Sequence, residues 1–318
     1  MTLRCWKVAA VLGVAATVIA GCAGDDRDAA PIDVGVLIVT MFEPEHQAWL
    51  TRESLPVTVK VPTVDKTVQC NADGLCVVET GQGKSNAAAT MMAVLDSPKF
   101  DFSRAYFLTT GIAGTPPDQG TLGSAAWARW VVDFDLGNHL DPAEAPEVPF
   151  GFRPVEKYPT AAYHLDDALV DTAFRLTERT QLADSEAAAA ERDRYPGQAG
   201  RVPAVMKCDT VTGDDYFSGK TPSDTARYIM GVRTEDQGTY CTTQMEDNAT
   251  ATALARHGYL NRYLSLRTVS NFDQPHPGQT VVEHLEAEGD GFRLALENLY
   301  TLGRQVAGHL LQNRPGGR

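Results

Sequence analysis

The sequence predicts an α/β domain in which helices flank a central mixed or mainly parallel sheet. Short apolar runs alternate along the chain with stretches of helical periodicity. Val34–Thr40 is a continuous apolar run, which is typical of a central strand buried on both faces. No internal repeat is found, and α/β units of this length commonly form one domain. We therefore expect a single domain over residues 32–318.

The remaining elements follow in order to the end of the chain. Predicted strands cover 76–81, 105–111, 124–135, 204–212, 239–245 and 263–270, and predicted helices cover 86–95, 166–179, 187–190, 248–257 and 292–312. Ser97-Pro98 ends the first of these helices and Gly258 ends the fourth. Residues 141–160 and 193–203 are rich in proline and glycine and are predicted to be loops.

The first thirty residues have the pattern of an export signal. Arg4 and Lys7 precede an apolar run over 8–20, which is shorter than the about 20 residues of a membrane-spanning helix. Ile19-Ala20-Gly21-Cys22 resembles a bacterial lipobox. The resemblance implies a lipoprotein signal peptide over 1–21, a lipid on Cys22 and a flexible tether over 22–31. A simple cleaved signal with a chance cysteine is the alternative.

The charge balance restricts the partners of the chain. It carries 28 basic and 41 acidic side chains, a formal net charge of −13. Such a surface repels nucleic-acid phosphate and anionic lipid alike, which excludes a nucleic-acid partner. Membrane contact is therefore expected through the lipid on Cys22, on a cell-envelope lipoprotein at the periplasmic or extracellular face.

Four cysteines lie beyond the signal, and an even number in an exported chain favours disulfides. Cys70 and Cys76 flank an Asp-Gly turn, and Cys208 and Cys241 lie in two strand-like runs. We predict the pairs Cys70–Cys76 and Cys208–Cys241. No Cys-x-x-Cys or histidine cluster is present, so no metal site is expected.

Five segments, each at the end of a predicted element, resemble one superfamily. The segments are Val39–Glu45, Thr80–Lys84, Thr110–Gly114, Gln244–Asp247 and Arg267–Asn271. In this order they resemble the nucleoside phosphorylase and nucleosidase superfamily, and the purine nucleoside permease family within it. The resemblance implies a three-layer sandwich of the nucleoside phosphorylase/hydrolase type, with a central mixed sheet flanked by helices. It implies no cofactor, with phosphate as co-substrate only if the protein is a phosphorylase.

Cleavage of a purine N-glycosidic bond requires groups that bind more strongly as charge develops on the sugar and the base. By resemblance, Glu45 activates the nucleophile as general base. Glu43 competes for that role, and a surface acid opening a helix after Pro44 is the structural alternative.

By the same resemblance, Gln244, Met245 and Glu246 contact the substrate, and Glu246 binds the ribose. A carboxylate can accept hydrogen bonds from two neighbouring hydroxyls. The alternative is that Glu246 is simply an acid that favours a helix N-terminus.

The segment Gly111, Ile112, Ala113 and Gly114 is predicted to bring backbone N–H groups close to the nucleophile. Phosphorylases of the superfamily commonly carry serine where Ile112 stands, and they hold phosphate with arginine. The first-strand and third-strand loops have no arginine here. Arg129 and Arg267 are candidate substitutes, and Arg267 is alternatively an internal ion-pair partner. This difference from the phosphorylases favours water over phosphate as the nucleophile.

Three residues are candidates for the base. Asn271 stands where many relatives carry an aspartate that protonates the purine, and an amide suits a 6-oxopurine better. Asp273 lies two residues on and is a second candidate for catalysis. Tyr216 stands where relatives stack an aromatic side chain on the purine, with ordinary core packing as the alternative.

The sequence thus predicts a purine nucleoside N-ribosyl hydrolase or transferase, with a purine nucleoside or purine base as its partner. One alternative is a non-catalytic nucleoside-binding component of transport, and another is a phosphate-dependent phosphorylase. The oligomeric state stays open, including a homo-oligomer.

Overall fold

The computed structural model describes residues 30–155 and 158–316, which fold around a twelve-stranded mixed sheet. The predicted signal peptide, Cys22 and most of the predicted tether lie outside the described residues.

The strands are mostly short, but two of them, Tyr106–Thr115 and Tyr263–Phe272, are each ten residues long. They are β1 Ile32–Asp33, β2 Val36–Thr40, β3 Val57–Val59, β4 Val68–Cys70, β5 Leu75–Glu79, β6 Phe100–Asp101, β7 Tyr106–Thr115, β8 Ala125–Trp127, β9 Trp130–Asp133, β10 Asn138–His139, β11 Phe152–Arg153, β12 Ala162–His164, β13 Val205–Lys207, β14 Asp209–Thr212, β15 Tyr240–Gln244 and β16 Tyr263–Phe272.

The helices alternate with these strands along the chain. They are α1 Glu43–Leu50, α2 Lys84–Leu95, α3 Asp167–Thr177, α4 Glu186–Arg192, α5 Lys220–Thr234, α6 Asp247–Arg256, α7 Val281–Leu285 and α8 Gly291–Gln312, with short 3₁₀ turns at Pro149–Gly151 and Leu260–Arg262.

The centre of the sheet is covered on both faces. Its main strand order is β12-β9-β14-β15-β7-β2-β5-β4-β3, and β16 lies parallel to β7 and antiparallel to β8. Every residue of β2 and β5 is buried. Helix α8 packs on β7 and β16 beside α1 and α3, while α2 packs with α6. The predicted three-layer α/β fold with a central mixed sheet is confirmed.

The prediction of one long strand over 124–135 is wrong, because the chain changes sheet partners within it. Asp209 Oδ1 accepts the backbone N–H groups of Arg129 and Trp130, both at 2.9 Å, in place of a neighbouring strand. Before the break β8 pairs with β13 and β16, and after it β9 pairs with β14 and β12. The predicted strand 204–212 is divided at Cys208 in the same way.

Helix α5 was not predicted from the sequence. Its buried apolar positions are few, with Ala226, Ile229 and Met230 the main ones. Pro222 lies in its first turn, where a missing backbone N–H has no cost. Within the predicted loop 141–160, a 3₁₀ turn and β11 interrupt otherwise irregular chain.

Both predicted disulfides are confirmed. Cys70 and Cys76 join the antiparallel strands β4 and β5 where they face each other in register. Cys208, the residue between β13 and β14, is joined to Cys241 in β15. Within the described ranges, no helix is both long and apolar enough to span a membrane.

Candidate functional site

A cavity of about 840 Å³ opens at the carboxyl ends of β2, β7, β15 and β16. Ligands commonly bind at this edge of an α/β sheet. Nine of the predicted site residues line the cavity, namely Glu45, Ile112, Ala113, Gly114, Tyr216, Gln244, Met245, Glu246 and Asn271. The predicted residues Gly111 and Asp273 are not part of its lining.

Glu45 lies on α1 and is only 1% exposed. Its Oε2 accepts the N–H of Met41 and its Oε1 accepts the N–H of Ile112, both at 2.8 Å. Burial raises the pKa of Glu45 to about 8, although Arg267 and the two N–H groups act in the opposite direction. Glu45 therefore lies in the first turn of a helix, as the structural alternative held, yet faces the cavity rather than the surface. Its rival Glu43 is exposed.

Arg267 on β16 connects the charged groups of the cavity. It is 2% exposed and donates through Nε to Asp247 Oδ2 at 3.1 Å and through Nη2 to Asp247 Oδ1 at 2.6 Å. Nη2 also lies 3.2 Å from Glu246 Oε2, and Nη1 donates to the carbonyl oxygen of Ile112 at 3.0 Å. Arg267 is thus the internal ion-pair partner that the sequence left as an alternative.

Glu246 immediately precedes α6 and is also buried. Its Oε1 accepts the N–H of Gly83 at 2.9 Å, while its Oε2 faces Arg267. Burial raises the pKa of Glu246, and the Arg267 charge and the Gly83 N–H partly offset this. The carboxylate is held from two sides at the cavity wall, so its orientation is fixed before a ligand binds.

Gln244 organises the turn that carries Glu246. Its Oε1 accepts the N–H groups of Glu246 and Asp247 at 2.8 and 2.9 Å, and its Nε2 donates to Thr212 Oγ1 at 2.7 Å. Because both ends of the amide have protein partners, Gln244 supports the wall of the cavity. Met245, next in the chain, also lines the cavity.

Gly111 has a different role from the one predicted. A Cβ atom there would lie 2.1 Å from Met41 Cε, 2.7 Å from Arg267 Nη1 and 2.9 Å from Glu45 Oε1. The glycine therefore leaves space for Arg267 and Glu45 to approach β7. The Ile112 N–H, predicted to face the nucleophile, is donated to Glu45 instead.

Asn271 lies near the end of β16, on the cavity wall. Its Nδ2 donates to the carbonyl oxygen of Phe272 at 2.7 Å, and its Oδ1 accepts from Ser270 Oγ at 2.7 Å. Both partners are adjacent residues in the chain, and Asn271 is half-buried at the cavity wall.

The prediction of Asp273 as a catalytic group is not supported by its position, which is fully buried behind the cavity lining. Its Oδ2 accepts from Ser223 Oγ at 2.6 Å and from Tyr240 OH at 2.8 Å. Burial raises the pKa of Asp273 to about 6. These bonds join α5 to β15 and β16.

Two further candidates differ in position. Tyr216 lines the cavity and is 57% exposed, so it is a wall residue rather than part of the core. Arg129 does not line the cavity and pairs with Asp209 at 3.2 Å. No group of three or more His, Cys, Asp or Glu side chains in the part of the chain described could hold a metal ion.

The outer wall of the cavity was not predicted. It comes from α4, from the residues after it and from the segment before α8, with Glu191, Arg194, Tyr195, His276 and His284 among its side chains. This wall has little regular periodicity, and its only sequence signal is a series of polar and aromatic residues near glycine and proline.

The chain is similar in sequence to proteins of one family. The family model described as purine nucleoside permease (NUP) matches residues 33–315. A probable purine nucleoside permease of Schizosaccharomyces pombe is 35% identical over 310 residues, covering 87% of this chain and 89% of that protein. A purine nucleoside permease of Candida albicans is 30% identical over 302 residues, covering 87% and 74%.

Solved structures confirm the predicted fold. A 5′-methylthioadenosine/S-adenosylhomocysteine nucleosidase from Colwellia psychrerythraea, in complex with adenine, superposes with a TM-score of 0.53 at 20% identity. The match covers 86% of this chain and 96% of that structure. With the family model spanning nearly all of the described residues, the chain belongs to the purine nucleoside permease family.

Proposed function

We propose that this protein binds purine nucleosides and cleaves their N-glycosidic bond with water. The observation that carries the proposal is the juxtaposition of Glu45 and Glu246 around Arg267 in one cavity. The names of the relatives support a purine nucleoside ligand, and the fold shared with nucleosidases supports a hydrolytic reaction.

Glu246 would bind the ribose. Its carboxylate is oriented by Gly83 and Arg267, and it keeps lone pairs for the sugar hydroxyls. As the C–N bond breaks, the sugar becomes oxocarbenium-like. A fixed carboxylate beside it would stabilise that positive charge without reorganisation.

Glu45 would activate the nucleophile. In its ionised form it can accept a proton from a water molecule that attacks the anomeric carbon. The raised pKa makes Glu45 a stronger base than an ordinary carboxylate. The two backbone N–H groups hold the carboxylate in one orientation during proton transfer.

Asn271 would bind the departing base. The base leaves with the electron pair of the C–N bond, and an amide N–H can stabilise the resulting charge on a ring nitrogen or a 6-oxo group. Because an amide has no proton to transfer, solvent would supply it. Because the amide can donate to a 6-oxo group, Asn271 favours inosine or guanosine over adenosine.

Water is favoured over phosphate because Arg267, the arginine beside Glu45, already has protein partners. Arg267 donates to Asp247, Glu246 and the Ile112 carbonyl oxygen, and Arg129 pairs with Asp209 outside the cavity. Bound phosphate requires charged donors that are free to reach it.

A second candidate function is nucleoside binding for uptake without turnover. Two observations favour it: Asn271 stands where a proton donor would help catalysis, and the relatives are named permeases.

One experiment separates the candidates. The mature protein is incubated with inosine, with and without phosphate, and free hypoxanthine is measured beside a binding isotherm. Release without phosphate supports the hydrolase, and phosphate-dependent release supports the phosphorylase. Binding without release supports the uptake protein, and no binding refutes a nucleoside function.

We also propose that the protein is an exported lipoprotein anchored through Cys22. The two disulfides support export, because they persist in oxidising compartments. A Cys22→Ala variant should leave nucleoside binding intact and move the protein from the membrane fraction to the soluble fraction. A wild-type protein that is already wholly soluble in its native host would refute the anchor.

A further inference from the structure

Lys84 joins three loops that follow strands at the cavity edge of the sheet. Its Nζ lies 3.1 and 3.2 Å from the two oxygens of Asp133 and 2.7 Å from Asp135 Oδ2. Its backbone N–H donates to Asp214 Oδ1 at 2.7 Å, and Asp214 N–H in turn donates to Asp135 Oδ2 at 2.9 Å. We call Lys84, Asp133, Asp135 and Asp214 the lysine cluster.

The lysine cluster lies beside the ribose carboxylate of the proposed site. Gly83, the residue before Lys84, donates its N–H to Glu246 Oε1. Gly83 has φ of +88°, a conformation that glycine adopts readily and L side chains rarely adopt, so the direction of this donor depends on the shape of the turn. Lys84, the next residue after this turn, is held to Asp133, Asp135 and Asp214 by the bonds described above.

The same cluster reaches the aromatic wall. Asp214 begins the exposed segment 214–216, and Tyr216 at its end lines the cavity. The Lys84 side chain therefore connects the turn that orients Glu246 with the segment that carries Tyr216, because Asp135 Oδ2 binds both Lys84 Nζ and the Asp214 N–H.

We propose that Lys84 is a positioning residue that fixes the separation of Glu246 and Tyr216, the proposed ribose and base contacts. Lys84 does not line the cavity and would not touch the nucleoside. The inference rests on the proposed nucleoside function and adds a determinant of how sugar and base are held together.

The chemistry of the lysine cluster requires a cation at this position. Lys84 is 20% exposed and Asp133 8% by side chain, so water screens their attraction only in part. Burial lowers the pKa of Lys84, but Asp135 and Asp133 outweigh it and raise the pKa overall. Lys84 thus stays charged, and its removal would leave Asp133 and Asp135 in mutual repulsion.

The test compares Lys84→Met and Lys84→Arg with Lys220→Met as the matched control. Lys220 is likewise the first residue of a helix and pairs with an aspartate, Asp224, but it is exposed and lies outside the cavity lining. Dissociation constants for inosine and hypoxanthine are measured for each variant. Hydrogen exchange is followed in peptides covering 80–86 and 213–217.

Lys84→Met should raise the inosine dissociation constant about tenfold or more, because the Glu246 carboxylate would lose its fixed orientation toward the ribose hydroxyls. The dissociation constant of hypoxanthine, which has no ribose, should change little. Both peptides should exchange faster. Lys84→Arg should restore much of the affinity, and Lys220→Met should match the wild type. A purely structural role would instead lower the melting temperature and weaken both ligands equally.

Two results would overturn the proposal: unchanged exchange in both peptides, or an unchanged ratio of inosine to hypoxanthine affinity. If Lys84→Met does not fold, Asp135→Asn provides the same comparison at a side chain that is 29% exposed. Failure of the proposed function has a different signature, because the wild-type protein would then bind no nucleoside. In that case the exchange data alone decide whether Lys84 holds the two segments.

Discussion

Glu45 and Arg267 bind the two backbone groups of a single residue, Ile112. Its N–H is donated to Glu45 Oε1 at 2.8 Å, and its carbonyl oxygen accepts from Arg267 Nη1 at 3.0 Å. The carboxylate and the guanidinium are thereby fixed to β7, one on each side of one residue. The proposed general base and the residue that orients the ribose carboxylate consequently share one rigid support.

The first prediction concerns Glu45. Glu45→Gln should lower kcat for inosine about a hundredfold or more, because the amide cannot accept a proton from water. The dissociation constant should change little, since the sugar contacts lie elsewhere. The matched control is Glu43→Gln, at an exposed glutamate in the first turn of the same helix. Equal losses in both variants would contradict the assignment.

The second prediction is a pH dependence. Burial raises the pKa of Glu45 from 4.5 to about 8, although the positive charge of Arg267 acts to lower it. Since the ionised form is the base, kcat should rise with pH and level off above about 8. Protonated Glu45 stabilises the fold fully below 4.5, and this contribution is lost as pH rises through about 8.

Unfolding titrations at several pH values test the second part. Glu45→Gln should become more stable relative to the wild type as the pH is raised, because the variant has no group to ionise. A constant stability difference, or a kcat that does not change with pH, would contradict the raised pKa.

The third prediction concerns Glu246. Glu246→Gln should weaken inosine binding and also lower kcat, because a charged acceptor for the ribose hydroxyls is lost. Hypoxanthine has no ribose, so its dissociation constant serves as the internal control. A parallel loss for both ligands in calorimetric titrations would mean that Glu246 supports the fold of the site rather than the sugar.

The fourth prediction is a change of base preference. Asn271→Asp should increase the ratio of kcat/KM for adenosine to that for inosine, by supplying an acid where the wild type has an amide. Release of both bases is measured on the same enzyme preparation. An unchanged ratio would mean that Asn271 does not contact the base.

The fifth prediction concerns the disulfides. Replacing Cys208 and Cys241 by alanine should lower the free energy of unfolding by about 3–4 kcal/mol, and replacing Cys70 and Cys76 by about 2 kcal/mol. The difference follows from their separations of 33 and 6 residues. Urea titrations compare the two double variants, and equal losses would show that loop length is not the cause.

The fold and the edge of the sheet that carries the site could be predicted from local patterns. The apolar run around Val36–Thr40 marks a strand buried on both faces, and the carboxyl ends of such strands meet at one edge of a sheet. The roles of Glu45, Glu246 and Asn271 came from the resemblance to the nucleoside phosphorylase and nucleosidase superfamily, and all three line one cavity although they lie far apart in the sequence.

Residues that act through tertiary contacts could not be predicted in the same way. Asn271 and Asp273 are two positions apart, a spacing that places two side chains on one face of a strand. However, β16 ends at Phe272, and Asp273 turns toward Ser223 and Tyr240. Similarly, no local pattern shows that the Gly83 N–H meets Glu246, which lies 163 residues away.

The charges around Arg267 also bear on inhibitor chemistry. When Glu45 is ionised, its carboxylate and those of Glu246 and Asp247 face one guanidinium in a buried setting. A neutral nucleoside gains little from this excess of negative charge, whereas a ligand with a positively charged ring in place of ribose gains a great deal. If the protein has the proposed function, a purine linked to a protonated amine ring should therefore bind more tightly than the nucleoside once Glu45 is ionised, above about pH 8. Because the carboxylates are buried, added salt should weaken that binding only slightly.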